Sequence, residues 1–322
     1  MKISVVTPLW QDRPAMENLE VAINADRLGY PELWIGEMAT FDAFALATSI
    51  GQATRQIELS IGPLAVSVRT PMTLAMGVAS VAELCGRQTN LALGASSTVV
   101  VDEWHGQERS RTATHLAETA QIVRALLGGD KVDFEGELAR CKGYRLRLNP
   151  HPGPLTLAAF GPAAVRAAGR HADRLLLNIV TPNSVAQLGE QVKIAATDVG
   201  RPAPSVAVWL TCAINPDKQT INQLLRTVVS YVAAPGYAQM ISDAGFDDLV
   251  TFARTRPHPK ELLAAMPEAL LSAIGLVGSE NQVGDRIEDY RAAGVDEICL
   301  VPVTAEDPGA TRILETMKSI AL

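Results

Sequence analysis

The residues that offer chemistry lie closest together in the stretch Thr89–Gly106, TNLALGASSTVVVDEWHG. Asn90–Leu93 is predicted to form a short buried strand. Four small residues then interrupt it: Gly94, Ala95, Ser96 and Ser97. Small side chains let backbone N–H groups approach an anion closely, and the two hydroxyls add donors. A strand that ends in such a turn before a helix is how α/β proteins build phosphate sites, and the alternative is an ordinary strand-to-helix loop.

Composition narrows the classes of protein. Of the 322 residues, 48% are apolar and 20% are charged, which is enough to build a sizeable core and argues against disorder. The net charge of −7 argues against nucleic acid or an anionic membrane as the main partner. The four cysteines are scattered and form no CxxC pair, and the histidines show no ligand spacing, so we expect no metal and a reducing, cytoplasmic setting. No apolar run approaches the roughly 20 residues that span a bilayer.

Short apolar strands alternate with helices along the whole chain. We predict eight strands: Ile3–Thr7, Leu33–Gly36, Ile57–Leu64, Asn90–Leu93, Leu155–Phe160, Arg174–Asn178, Val206–Ile214 and Glu297–Val301. Eight such units favour an α/β fold of the (β/α)8 TIM-barrel type, in a single domain over 1–322, with an open doubly wound sheet as the alternative. Two stretches break the alternation: 130–154, with a small hairpin, and 233–272, which is mostly helical and which we expect to act as a lid.

In such a barrel, binding and catalytic groups lie where strands end and loops lead to helices. In this chain the carboxyl ends of the predicted strands carry residues of several chemical types: Trp10, Glu37, Gly62, Pro63, Gly161 and Asn178, besides the Gly94–Ser97 turn. We therefore expect these residues to surround one site.

Four segments carry a resemblance to a known family. They read GYPELWIGE, IELSIGPLAVSVRTP, LALGASSTVVVDEWHG and AAFGPAAVRAAGRHADRLLLNIVTP, and their order and spacing resemble the luciferase-like monooxygenase superfamily. Within it, the chain is most similar to deazaflavin-dependent oxidoreductases of actinobacterial type, and the likeness covers nearly the whole sequence. The resemblance implies a bacterial-luciferase-like barrel that binds coenzyme F420 or FMN at the strand ends.

The resemblance also implies where the cofactor lies. Gly62 and Pro63 fall where the family has a bulge that backs the ring, often with a non-prolyl cis peptide, so we expect the Gly62–Pro63 bond to be cis. The Gly94–Ser97 turn falls near the ribityl-phosphate chain. Gly161, Pro162 and Ala163 fall on a second phosphate-contacting turn, where a helix presents its N-terminus to the anion. The alternative for each Gly-Pro is a simple turn, since proline suits the first helical position.

The candidates for chemistry each have a structural alternative. Glu37 lies where relatives carry acidic or histidine groups, but Met38 follows it, so a histidine is absent there. In an apolar pocket the Glu37 carboxyl would act as general acid or base, whereas the alternative is a salt bridge or helix-dipole role. His105 is a second candidate for proton transfer, or it bonds a loop carbonyl. Trp10 and Trp104 either line a substrate pocket or pack at the rim of the barrel. Asn178 either binds the cofactor or caps the helix that follows.

The function predicted on these grounds is an F420-dependent oxidoreductase that transfers hydride between the deazaflavin and a small organic substrate. The first alternative is an FMN-dependent monooxygenase. The second is a non-catalytic flavin-binding relative, or a phosphate-sugar barrel enzyme without a redox cofactor. Deazaflavin is favoured because an FMN site more often presents arginine to the phosphate, and neither turn contains one.

Two surface features bear on partners. Apolar residues on the outer helices of the first half, namely Phe44, Leu46, Ile50 and Met76, are expected to leave apolar surface exposed, which favours a homodimer. A basic group, Arg254, Arg256, His258 and Lys260, either meets an acidic substrate or is a solvated loop.

Overall fold

The computed structural model describes residues 1–8, 10, 12–37, 39–148, 152–234 and 236–321; Met38 therefore lies outside the described residues. The strands are β1 (Lys2–Val6), β2 (Glu32–Ile35), β3 (Glu58–Ala65), β4 (Thr89–Gly94), β5 (Lys131–Glu135), β6 (Arg140–Arg145), β7 (Pro152–Ala158), β8 (Arg174–Asn178), β9 (Ser205–Ile214), β10 (Leu276–Gly278) and β11 (Glu297–Pro302).

The α-helices alternate with these strands. They are α1 (Glu17–Arg27), α2 (Ala43–Ala53), α3 (Pro71–Cys85), α4 (Thr112–Leu127), α5 (Pro162–His171), α6 (Pro182–Thr197), α7 (Lys218–Val228), α8 (Tyr237–Ile241), α9 (Asp247–Arg254), α10 (Pro259–Ala265), α11 (Ala269–Ile274), α12 (Glu280–Ala292) and α13 (Thr311–Ala321). None of the described helices combines the length and the apolar character needed to cross a membrane.

Eight parallel strands close into a barrel in the order β1-β2-β3-β4-β7-β8-β9-β11. The last strand pairs with the first, Lys2 beside Glu297, and β8 pairs with β9. The predicted (β/α)8 barrel is confirmed, and the open sheet is excluded because no barrel strand is left at an edge. The predicted strands agree with the observed bounds to within three residues. The short strand β10, which pairs with the end of β9, was not predicted.

The first insertion contains the predicted small hairpin, and the second is mostly helical as predicted. In the first, β5 and β6 form an antiparallel hairpin that packs Val132 and Cys141 against Ile122 and Leu126 of α4. The carboxylate of Glu118 accepts three backbone N–H groups of the hairpin turn, each at 2.8 Å. Residues 149–151 of this insertion and Pro235 of the second lie outside the described residues. The second insertion contains α8 to α11, whose buried side chains join the main core.

A buried ionic cluster lies inside the barrel, at the amino-terminal ends of its strands. Arg174 contacts Glu32 at 2.9 Å and Glu297 at 2.7 Å, and its guanidinium lies 4.3 Å from the ring centre of Trp34. Lys2 also pairs with Glu32. Burial by itself would raise the pKa of the Glu32 carboxyl, but the hydrogen bonds and charge of Arg174, with a smaller effect of Lys2, lower it to about 2. The cluster thus ties together strands from the beginning, middle and end of the chain.

The four apolar residues that were expected to be exposed on the outer helices are exposed only in part. Leu46 and Ile50 are buried in the core, and Phe44 is half-buried under Arg69, so these three do not provide the exposed surface predicted for them. Met76 is exposed as predicted, and two further apolar residues of α3, Met72 and Leu84, are exposed with it. The exposed apolar face therefore belongs to α3.

Candidate active site at the carboxyl ends of the strands

A pocket of about 230 Å³ opens where β2, β3 and β4 end. Five residues proposed from the sequence line it together: Glu37, Pro63, Ser96, Trp104 and His105. The other lining residues are Thr40, Phe41, Asp42, Ala65, Val68, Arg69 and Val100. The volume is below the ~300–1,000 Å³ of clefts for drug-sized ligands, so the pocket suits a molecule of about one ring.

The end of β3 contributes Pro63 and Ala65 to the lining of this pocket. The Gly62–Pro63 peptide is cis, as predicted. A Cβ on Gly62 would lie 2.3 Å from the carbonyl oxygen of Ala92, and φ at this position is +116°. A Cβ on Gly94 would lie 3.0 Å from that of Pro63. Only glycine therefore lets β3 and β4 approach so closely at the point where the pocket begins.

The turn after β4 carries the two rings into the pocket. Ser96 is in the left-handed region with φ +54°, and Ser97 Oγ accepts a hydrogen bond from the Val100 amide at 3.2 Å. The next residues, Val99–Trp104, form one π-helical turn, and its end places Trp104 and His105 side by side on the pocket wall. Trp104 is 54% exposed, so its ring is available to a ligand.

Glu37 takes the salt-bridge role that was its alternative in the sequence. Arg69 Nη2 donates to Glu37 Oε1 at 2.5 Å and Arg69 Nε donates to Oε2 at 3.3 Å, while the Ala43 amide also donates to Oε1. The same Nη2 donates to Asp42 Oδ2 at 2.5 Å. Both oxygens of Glu37 thus accept charged hydrogen bonds from Arg69, which ties the carboxylate to that side chain.

Arg69 and Asp42 are site residues that were not predicted. Burial by itself would lower the pKa of Arg69, but hydrogen bonds to Glu37 and Asp42 raise it. Burial would likewise raise the pKa of Asp42, and it is lowered by the Ala45 amide and by Arg69. Asp42 also caps α2 by accepting from the amides of Phe44 and Ala45. The one signal in the sequence was a cap residue next to a strand end, which does not indicate an ion pair.

Other proposed residues lie elsewhere at the same end of the barrel. Trp10 is buried and its indole N–H donates to the carbonyl oxygen of Pro302 at 2.9 Å, so it packs between β1 and β11 instead of lining this pocket. Asn178 is the last residue of β8 and is half-buried. Gly161 precedes the first turn of α5, and it is exposed together with Pro162 and Ala163.

Two further features concern the binding of a ligand. Arg109 Nε donates to the carbonyl oxygen of Ser96 at 2.9 Å, so an arginine does reach the Gly94–Ser97 turn. The indole nitrogen of Trp209 is buried and has no hydrogen-bond partner among the described residues. Trp209 pairs with Asn178 in the sheet. In the described ranges, no three His, Cys, Asp or Glu side chains are grouped so that they could hold a metal ion.

The family follows from a match that spans most of the chain. The model of the luciferase-like monooxygenases matches residues 1–297. The chain belongs to this family. The pocket lies at the carboxyl ends of the strands, which is where (β/α)8 barrels generally place their active sites.

Relatives within the luciferase-like family include F420 enzymes. The 5,10-methylenetetrahydromethanopterin reductase of Methanolobus tindarius is 22% identical over 293 residues, 88% of this chain and 90% of the relative. The F420-dependent glucose-6-phosphate dehydrogenase of Mycobacterium avium is 35% identical over 140 residues, 40% of this chain and 41% of the relative.

Solved structures show the same luciferase-like fold. An F420-dependent secondary alcohol dehydrogenase in complex with an F420-acetone adduct superposes with a TM-score of 0.82 at 19% identity, covering 99% of this chain and 98% of that one. The coenzyme F420-dependent tetrahydromethanopterin reductase of Methanopyrus kandleri also gives a TM-score of 0.82, at 18% identity, covering 98% of each chain.

Proposed function

We propose that the protein is an F420-dependent oxidoreductase that transfers hydride between the deazaflavin and a small organic substrate. The observation that carries the proposal is the pocket at the strand ends, which Pro63 of β3 lines together with Trp104 and His105. The names of the relatives support the same cofactor, since the structures with the TM-score of 0.82 are both described as F420-dependent.

The described residues fit a cofactor of this kind at two places. The N-terminus of α5 is exposed, Gly161 has no atom within 4 Å of where a Cβ would stand, and no side chain caps the helix. Its free N–H groups and dipole suit the phosphate of the cofactor. The unpartnered indole N–H of Trp209 suits a polar ligand atom, since leaving a buried donor unpaired costs about 1–3 kcal/mol.

In the proposed reaction each residue of the pocket has a separate task. A bound deazaflavin supplies or accepts the hydride through carbon 5 of its ring. Gly62 and Pro63 would back that ring, and Gly94 with Ser96 and Ser97 would line the path of the ribityl-phosphate chain. Trp104 holds the substrate by stacking and excludes water. His105 Nε2 or Nδ1 delivers or accepts the proton that accompanies hydride transfer, because Glu37 is engaged by Arg69.

An FMN-dependent monooxygenase is the second candidate, and the position of Arg109 favours it. A guanidinium beside Ser96 is the group that a terminal dianionic phosphate would select. The family also includes a Baeyer-Villiger monooxygenase of Pseudomonas putida in complex with FMN, with a TM-score of 0.70 at 16% identity. The cofactor titration below separates the two candidates.

The test is a parallel titration of the full chain with F420, FMN and NADPH, followed by calorimetry. We expect F420 to bind and Ser96→Trp to abolish its binding, because the indole would fill the path proposed for the phosphate chain. Lys193→Trp on α6 is the control that adds an indole outside this path. Tight binding of FMN with oxygen consumption and no binding of F420 would favour the monooxygenase instead. Binding of neither would contradict both.

We also propose that the protein is a cytoplasmic homodimer. The exposed apolar residues of α3, Met72, Met76 and Leu84, provide a face that a second copy would cover. The four cysteines are free thiols, three of them buried, which suits a reducing compartment. Sedimentation at micromolar concentration tests the dimer: Met76→Lys with Met72→Lys should give a monomer, and a wild-type monomer would contradict the proposal.

A further inference from the structure

The charge of the pocket is fixed by three side chains that pair with one another. Glu37 and Asp42 each contribute a negative charge, and Arg69 lies between them and contributes the positive one. Two carboxylates and one guanidinium leave one net negative charge among the lining residues. Protonation of His105 would bring the net charge of these four lining residues only to zero.

Arg69 has few hydrogen bonds left for an anion. Of its five N–H groups, one on Nε and two on Nη2 already donate to the carboxylates. The guanidinium is further held over the ring of Phe44, with its carbon 5.1 Å from the ring centre. The arginine therefore acts as a bridge between two strand-end loops, and its charge is already balanced before any ligand arrives.

The carboxylates, by contrast, keep acceptor capacity. Glu37 Oε2 and Asp42 Oδ2 each accept one hydrogen bond, both from Arg69, and a carboxylate oxygen can accept two. The other lining residues include apolar and aromatic side chains, chiefly Phe41, Val68 and Trp104. Aromatic faces attract cations and accept neutral apolar bodies, but they do not solvate an anion.

We infer that this pocket selects ring-sized apolar molecules that are neutral or carry one positive charge, and that it rejects carboxylates and phosphate esters. The inference rests on the proposed function, since it names the substrate class of the same site. An anion would lose its hydration in a small pocket of net negative charge, while an ammonium group would gain the free lone pairs of Glu37 and Asp42. The phosphate of the cofactor then has to lie outside this pocket, at the exposed N-terminus of α5.

The experiment compares three probes of one shape by calorimetry at low salt on the full chain: benzylammonium, benzyl alcohol and benzoate. We expect benzylammonium to bind at least about 10-fold more tightly than benzoate, because a single charge in a partly buried pocket changes sign between them. Trp104→Ala should weaken all three probes, which locates them in this pocket. Equal or tighter binding of benzoate would overturn the inference, as would the absence of binding by every probe.

Asp42→Asn is the decisive variant. Asparagine caps a helix as well as aspartate does, so α2 is retained while one negative charge is removed. We expect the preference for benzylammonium over benzoate to fall at least about threefold, with the affinity for benzyl alcohol unchanged. Glu190→Gln on α6 removes the same charge from an exposed site and should leave the preference unaltered. An unaltered preference in Asp42→Asn would contradict the inference.

The outcomes separate this inference from the proposed function. Binding of F420 is read from the fluorescence of the deazaflavin and needs none of the three probes. If the protein does not bind F420 but still prefers benzylammonium, the proposed cofactor is contradicted and the inference about the pocket stands. Binding of F420 without the charge preference would remove the inference alone.

Discussion

His105 and Glu37 line the same pocket, but their surroundings give them different capacities. Both oxygens of Glu37 are occupied by Arg69, and one also by a backbone amide, whereas the imidazole of His105 is exposed beside Trp104. Proton transfer needs a group that can exchange its proton within reach of the substrate. In the proposed reaction we therefore assign proton transfer to His105 and not to Glu37.

Replacing His105 by Asn should therefore lower kcat by about 10²–10⁴-fold, the range of general acid–base catalysis, with little change in the affinity for F420. Steady-state kinetics and a cofactor titration on the same variant measure the two quantities. His258→Asn is a control, because this exposed histidine caps α10 in the second insertion. A His105 variant with unchanged kcat would assign the proton to another group or to water.

The sequence predicted the residue types of the site better than their pairings. It placed Glu37, Pro63, Ser96, Trp104 and His105 at strand ends, because a parallel barrel gathers those ends whatever the loops do. It could not predict the bridge from Arg69, which lies 32 positions from Glu37. The distance between two such side chains depends on loop conformation, and no periodicity in a sequence encodes that.

Among the elements, the end of β3 is the part of the site with the least freedom. Gly62 combines a positive φ with a carbonyl oxygen 2.3 Å from where a Cβ would stand. Gly86, which ends α3, also has a positive φ, +63°, but nothing lies within 4 Å of its Cβ position. The two glycines therefore separate the effect of conformation from the effect of contact.

We expect Gly62→Ala to destabilise the protein by more than about 3 kcal/mol and Gly86→Ala by about 1–2 kcal/mol, because only the first adds a clash with backbone to the left-handed penalty. Urea unfolding of both variants measures the difference. Equal losses would mean that β3 and β4 can separate at this point without cost.

The second insertion bears on the site through an aromatic contact. Tyr237 of α8 stacks on Phe160, with ring centres 4.5 Å apart, and Phe160 comes directly before the exposed turn at Gly161. We expect Tyr237→Leu to weaken F420 binding about 2–10-fold, the range for one aromatic pair, by loosening that turn. Phe252→Leu, an exposed aromatic of α9, should have no such effect in the same titration. Equal effects of both variants would contradict a specific contact.

This contact also changes the expectation of a simple lid. Met240, Ile241 and Val250 of the insertion are buried in the main core, so deleting 238–256 would expose core side chains along with any loss of closure. The sequence predicted the helical character of this insertion from its periodicity. It gave no sign of β10, because Leu276–Gly278 is only three residues long, follows Gly275 and itself ends in a glycine. It likewise gave no sign of the π-helical turn before His105.

At the scale of the molecule, the ionic cluster makes stability depend on pH. The pKa of Glu32 falls from 4.5 to about 2 on folding, so its ionised form stabilises the native state above pH 4.5 by about 3 kcal/mol. That contribution is lost as the pH falls from 4.5 towards 2. The sequence did not predict it, because Glu32 was placed just outside a strand that was otherwise apolar.

Glu32→Gln should therefore lose about 3–5 kcal/mol at neutral pH, since Arg174 and Lys2 keep only Glu297, and should show a flatter loss of stability between pH 4.5 and about 3. Urea unfolding at several pH values measures both. Glu58→Gln is the matched control for Glu32→Gln, because Glu58 is the neighbour of Glu32 in the sheet but is exposed. If the variant loses stability with falling pH as steeply as the wild type does, the lowered pKa of Glu32 is contradicted.

We propose, on the same cluster, that the chain unfolds as one domain. Arg174 contacts residues of β2 and β11, so neither half of the barrel retains a balanced interior without the other. Thermal unfolding followed by circular dichroism and by tryptophan fluorescence should give coincident transitions. Two separated transitions would instead indicate independent halves.

The pairing of β1 with β11 sets a condition on biosynthesis. Lys2–Val5 finds its partners only at residues 297–300, so one edge of the first strand stays without its neighbour until almost the whole chain has been translated. At about 5–20 residues per second this interval lasts roughly 15–60 s. During that time Lys2 is the one charged residue of β1, and charged side chains are one device that keeps open edges from pairing with other chains. Lys2 thus belongs both to the ionic cluster of the folded barrel and to the strand edge that stays open during synthesis.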